Sequence, residues 1–270
     1  MTSTMPFSRV IAVCALFLSA AIGQEAPGLT LQQKEAFLLK AKIVKTYDVK
    51  KGVTQTQRVT LSDGTMTHDA SVQKIDDFQQ MFSPVGGKPE MNFKDTYRFN
   101  IVAWKVGLLL GLDDMMPPSV DRSSSAFTWW VDNVMMDEQE RLEKKLASPD
   151  QETWRSDTNT MYVFDQLIAN TDRNQGNMLI DKNWRLWLID HSRAFRPAKE
   201  LRNAKLLFRV DRGMLAKMKE LNGEMLKKEV GRYLGKIEID GILARRDAIV
   251  SYFETKGEDG LMDRPARAAN

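Results

Sequence analysis

Residues 161–190 constrain this chain more than any other stretch. They read as the end of an amphipathic helix, a polar loop, a tight hairpin and an acid at the hairpin's exit. Met161, Phe164, Leu167 and Ile168 recur at helical spacing on one face. Asn170, Thr171 and Asp172 end that helix with short polar side chains that compete for backbone hydrogen bonds. Residues 177–180 and 185–189 are strand-like, and Asp181, Lys182 and Asn183 between them carry turn chemistry. In such a hairpin Asn177 and Asp190 share the open end, and Asp172 sits on the loop that feeds it. Taken singly, each has an ordinary structural reading as a turn or capping residue.

Taken together, two carboxylates and a carboxamide at one edge suit magnesium-assisted phosphoryl transfer. Magnesium takes hard oxygen ligands and keeps several waters, so one Asp and one Asn beside a nucleotide's phosphates suffice. A further Asp, free of the metal, can orient or deprotonate the attacking hydroxyl. The spacing from Asp172 to Asn177 equals that from Asp to Asn in the protein-kinase catalytic loop, which a second metal-holding Asp follows after a strand.

The runs Asp172-Arg173-x-x-x-Asn177 and Leu188-Ile189-Asp190-His191 resemble the atypical kinases. These are the phosphatidylinositol 3- and 4-kinases, the HipA-type kinases and the secreted Golgi casein kinase family, in which the Arg follows the catalytic Asp. The resemblance spans residues 42–196 and is specific over 163–195. It implies an α+β, two-lobed protein-kinase-like fold with a β-rich N-lobe (24–133) and a helical C-lobe (134–257). It also implies Mg2+ (or Mn2+) with ATP or another nucleoside triphosphate. Asp172 and Arg173 would belong to the catalytic group, Asn177 and Asp190 would hold the metal, and Lys74 would pair with the phosphates.

The N-lobe offers further candidates. Strand patterns at 43–49, 58–61 and 67–75 are joined by Gly-bearing turns, as in an antiparallel meander. The first turn would lie over the phosphates, yet it carries only Gly52 where the protein-kinase loop has three glycines. Lys74 ends the third strand, on the face of Ala70 and Val72 by the two-residue period, or else is simply an exposed strand-end lysine. A loop is expected over 83–90 and a helix over 95–110, with Phe99, Val102, Ala103, Val106, Leu109 and Leu110 as its stripe and Gly111 as its stop. Asp95 is the candidate partner of Lys74, with Glu90 in reserve; alternatively Asp95 only favours the helix N-terminus. Trp129 and Trp130 fall where kinase-like chains cross between lobes, and Trp130 is the candidate to flank a base, although at least one of the pair is expected to be core.

Residues 1–23 have the layout of a secretory signal: Arg9, an apolar run from Val10 to Ile22 too short to span a bilayer, and small residues before Gln24. The only cysteine, Cys14, lies inside it, so the remaining chain has no disulfide or thiol chemistry. The leader holds one Arg and no acid, so a net charge of +3 falls to +2, and nothing points to nucleic acid. An exported monomer is expected, with residues 258–270 as a disordered tail. Its partners would be a nucleotide and a protein, lipid or small-molecule acceptor that the sequence does not specify. Little ATP is met outside a cell, so the competing expectation is a non-catalytic kinase-like (pseudokinase) module that binds nucleotide, phosphate or protein.

Overall fold

The computed structural model describes residues 28–48, 56–83, 89–265 and 267. The leader and Gly52 lie outside these residues. Helix α1 (Leu31–Lys40) begins in a capping box, with the Thr30 hydroxyl accepting from Gln33 N–H and the Gln33 side chain accepting from Thr30 N–H. Strands β1 (Lys42–Asp48), β2 (Gln57–Ser62) and β3 (Thr67–Gln73) form the expected meander. The ribbon of β4 (Asp76–Phe82) and β5 (Glu90–Thr96) follows as a separate two-stranded sheet. After helix α2 (Arg98–Leu110), strands β6 (Ser119–Asp121) and β7 (Ala126–Trp129) complete a five-stranded antiparallel sheet of order β1-β2-β3-β7-β6. Phe37 and Leu38 of α1 pack on its Val59, Leu61, Ala70, Val72, Phe127 and Trp129.

The chain leaves this lobe through β8 (Val134–Asp137), the short α3 (Glu138–Glu143) and α4 (Gln151–Leu167). Strands β9 (Met178–Asp181) and β10 (Leu186–Leu188) form the expected hairpin, and β8 joins it as a third strand. Beyond β11 (Val210–Asp211), helices α5 (Arg212–Glu220), α6 (Gly223–Val230) and α7 (Lys236–Lys256) build the helical lobe. Met161, Phe164, Leu167 and Ile168 are all buried, as the helical stripe requires. They share one core with Phe99, Val102 and Val106 of α2 and with Leu188, Phe195, Ile242, Ile249 and Phe253. Each such side chain contributes roughly 1.5–3 kcal/mol. The largest core therefore joins α2 to the helical lobe, fixing the rear wall of the inter-lobe cleft. Among the described residues no helix is long and apolar enough to cross a membrane.

Three expectations need correction. The helix expected from Asp95 starts at Arg98, because Asp95 and Thr96 belong to β5; Gly111 does end it, in the left-handed conformation at φ 74°. The region read as a loop at 83–90 begins strand β5 at Glu90. The tail expected to be disordered is built in as far as Pro265: a 3-10 turn at Gly257–Gly260 leads to β12 (Leu261–Met262), which pairs in parallel with β11. Arg264 and Arg267 then ion-pair with Asp114 and Asp157. Counter-charges for those two acids hold the segment where its polar composition suggested none.

Candidate active site

A cleft of about 640 Å³ opens between the lobes. Ser71 and Gln73 of β3 and the crossing segment Trp129–Val131 form its upper wall, and Asp172, Asn177, Leu188, Ile189 and Asp190 form its floor. The volume falls within the range of ordinary small-molecule sites.

The loop under the cleft is folded by its own short side chains. Ala169 takes a left-handed conformation at φ 47° and ends α4. Asn170 then turns inward, donating to Asp165 Oδ1 at 2.9 Å and accepting from Asp172 N–H at 3.1 Å. A 3-10 turn at Gln175–Asn177 brings Asn177 back, so that its Nδ2 donates to the Asp172 carbonyl at 3.2 Å. Ile189 N–H donates to the Asn177 carbonyl at 3.2 Å. Asn177 and Asp190 therefore do share the hairpin's open end, with Asp172 beside them on the cleft wall.

Asp190 adopts φ 51°, uncommon for a residue other than glycine, and its Oδ1 accepts from Ser192 N–H at 3.3 Å. Backbone of this kind costs of order 1–3 kcal/mol and persists where its surroundings over-determine it. Burial raises the Asp172 carboxyl above its ordinary pKa; the Arg193 guanidinium, 3.7 Å away, opposes that rise and Asp190 adds to it. Burial likewise raises Asp95, with a hydrogen bond from Ser192 opposing and Asp190 and Asp172 reinforcing. Acids that repel one another at a half-buried cleft form a place where a cation is favoured. Among the described residues no three His, Cys, Asp or Glu side chains already surround one point. The donor set that fits a hard cation is Asp190 with Asn177, leaving other positions to phosphate oxygens and water.

Other candidates sit elsewhere. Lys74 is exposed and absent from the cleft wall, because β3 ends at Gln73 and the cleft-facing positions are Ser71 and Gln73. Ala70 and Val72 face the α1 core instead. Asp95 lies near Ser192 and the acids rather than beside Lys74. Glu90 pairs with Arg196 at 2.5 Å and with Arg193 at 3.4 Å. Trp130 does line the cleft, with the Arg58 guanidinium 4.4 Å from its ring centre. Arg173 is not on the cleft wall. Its five N–H groups are all engaged: with both Asp165 oxygens, the Asn177 and Ile189 carbonyls, and His191 Nε2. It organises the floor rather than touching a ligand.

Two residues at the heart of the site escaped the sequence reading. Gln73 (β3) and Asn100 (α2), both buried, are joined by a short side-chain hydrogen bond. In protein kinases a strand lysine and a helix glutamate form an ion pair at the phosphates; here β3 and α2 are joined by an uncharged amide pair. The available signal was Asn100 itself, a polar side chain between Phe99 and Ile101 in a largely apolar helix. No Lys or Arg is found among the described residues lining the cleft; its acidic side chains are Asp137, Asp172 and Asp190.

No family model and no curated protein sequence matches this chain. Solved structures do. The structure of hydra Fam20 with sugar matches at TM-score 0.62 and 14% identity, over 86% of this chain and 92% of that one. The Golgi casein kinase with Mn/ADP bound matches at TM-score 0.61 and 10% identity, over 87% and 78%. A further Golgi casein kinase structure gives TM-score 0.57 at 12% identity, over 84% and 76%. At such identities the likeness concerns architecture: this chain has the two-lobed, atypical-kinase-like fold seen in Fam20 and the Golgi casein kinase.

Proposed function

We propose that the chain is an exported, atypical kinase-like phosphotransferase that uses a magnesium– or manganese–nucleotide complex. The observation that carries this reading is the arrival of Asp172, Asn177 and Asp190, from loop, turn and strand end, on the wall of one inter-lobe cleft. The Golgi casein kinase of the same fold was solved with Mn/ADP, which supports the choice of ligand. Asn177 and Asp190 would hold the cation, whose chemistry when bound is to neutralise phosphate charge. Asp172 would orient the acceptor hydroxyl and take its proton as that oxygen bonds to the γ-phosphorus. The bond from the γ-phosphorus to the β–γ bridging oxygen breaks, and the nucleoside diphosphate leaves. The Arg193 guanidinium opposes the rise that burial imposes on the Asp172 carboxyl. The acceptor is a hydroxyl of a protein, lipid or small molecule.

A specific observation favours a second reading, a nucleotide-binding module without turnover. The Gln73–Asn100 pair is neutral and no Lys or Arg lines the cleft among the described residues, whereas phosphoryl transfer ordinarily uses a basic anchor there.

Thermal melting with manganese–ADP and magnesium–ATP, followed by radiolabel transfer to the chain itself and to candidate acceptors, separates the two. A ligand at one hundred times its dissociation constant adds about 2.7 kcal/mol, and Asp190→Ala should abolish that gain. Transfer by wild type that is lost in Asp172→Ala supports the enzyme. A melting gain without transfer supports the module, and no gain with any nucleotide refutes both.

A further inference from the structure

The backbone on both sides of Asp190 is held by other elements. Before it, Ile189 N–H donates to the Asn177 carbonyl and the Ile189 carbonyl accepts from Arg173 at 2.9 Å. After it, Thr96 N–H donates to the Ser192 carbonyl at 3.0 Å. The residue directly following, His191, donates its N–H to Asn100 Oδ1 at 2.7 Å. Asn100 is itself oriented from the other side: its Nδ2 donates to Gln73 Oε1, and Gln73 Nε2 donates to Thr56 Oγ1 at 3.2 Å.

These bonds join into one line. It runs from Thr56 and Gln73 in the N-lobe sheet through Asn100 to His191, then to Arg173, Asp165, Asn170 and the N–H of Asp172. Gln73 and Asn100 are each 7% exposed, so neither can trade a lost partner for bulk water. Gln73 also lines the cleft. The line thus begins at the wall a nucleotide would touch and passes the residue next to the metal carboxylate.

We propose that Asn100, oriented by Gln73, is a positioning residue for the carboxylate of Asp190: its amide oxygen fixes the His191 N–H and so holds Asp190 in the left-handed backbone that turns its side chain to the cleft. The inference rests on the reading of Asp190 as a cation ligand. The amide pair does this without charge, where a lysine–glutamate pair would also bind phosphate. Positioning is kept here and phosphate anchoring is given up. Partners that orient a metal ligand from behind matter nearly as much as the ligand, and their loss costs 10–100-fold in metal affinity.

The test uses the full chain, with Mn2+ as the probe, in wild type, Asn100→Leu, Asn100→Asp and Gln73→Leu. Mn2+ affinity is measured by calorimetric titration and His191 N–H protection by amide hydrogen exchange. Asn100→Leu should weaken Mn2+ binding about 10-fold or more and speed His191 exchange. Asn100→Asp keeps an acceptor oxygen for the His191 N–H, although not the donor to Gln73 Oε1, and should leave His191 better protected than in Asn100→Leu. Gln73→Leu, which frees Asn100 without removing it, should weaken Mn2+ binding by a smaller factor and serves if Asn100→Leu does not fold. Unchanged affinity and protection in a folded Asn100→Leu or Gln73→Leu chain would overturn the proposal. If wild type takes up no Mn2+ even with ADP present to complete the site, the phosphotransferase reading fails separately; His191 exchange then decides the clamp alone, unchanged protection refuting it.

Discussion

The guanidinium of Arg173 forks onto the carboxylate of Asp165, its Nε at 2.9 Å from Oδ2 and its Nη2 at 3.0 Å from Oδ1. Both side chains are less than one-tenth exposed. The pair ties α4 to the floor of the cleft, and the remaining Arg173 donors reach the Asn177 and Ile189 carbonyls and His191. A lysine has no fork and only three donors. Arg173→Lys is therefore expected to cost about 3 kcal/mol in urea unfolding, the lower end for breaking a buried pair. A cost within ordinary surface variation would show that Arg173 is not the organiser of the floor.

His191 gives the stability a pH dependence. It is fully buried beside Arg173, and burial first, then that positive charge, hold its pKa well below the ordinary value. Arginine can only donate, so His191 Nε2 is the acceptor and the folded ring is neutral. The unfolded chain binds the extra proton below about pH 6.5. The contribution is complete above that value and is lost as pH falls toward the folded pKa, with a slope of up to about 1.4 kcal/mol per pH unit. Urea unfolding between pH 8 and 5 should show this slope in wild type and a shallower one in His191→Gln.

The amide pair predicts a gain of function. Gln73→Lys with Asn100→Asp places an ion pair on the same strand and helix and retains an oxygen for His191 N–H. A charged donor on the cleft wall contributes about 1.5–3 kcal/mol to a phosphate contact. ADP without metal should then bind roughly 10- to 100-fold more tightly than to wild type, read by calorimetry. Equal affinity would mean that Gln73 is not placed to meet phosphate.

With Asp172 as the proposed base, Arg193 is expected to set the acid limb of turnover. Its charge lowers the Asp172 pKa against burial. Arg193→Ala should move the acidic limb of the rate profile to higher pH and leave the alkaline limb in place. A profile that does not move would assign the limb to another group.

The helices, the 178–188 hairpin and the meeting of Asp172, Asn177 and Asp190 were legible because each rests on local signals: helical periodicity, short polar helix breakers and turn residues. What could not be read was non-local. Lys74 and Gln73 are neighbours, and only the pairing of β3 with β2 and β7 decides that Gln73 faces the cleft. The β4–β5 ribbon, with Phe78, Met81 and Met91 exposed, lacks the alternation that marks a half-buried strand. Asn100 lies outside the helix's apolar stripe and went unremarked, and its partners lie 27 and 91 residues away.

The ordered segment after α7 has a practical corollary. Asp157 is 1% exposed, and its counter-charges are Arg267, in direct contact, and Arg264. Cutting the chain after Lys256 would strand that acid in the interior of the helical lobe. Such a deletion is expected to cost about 3–5 kcal/mol, read as a lower melting temperature, and Asp157→Asn should recover part of it. An affinity handle is therefore safer when it leaves Arg264 and Arg267 in place than when it replaces them: these two side chains act as the missing half of an internal salt.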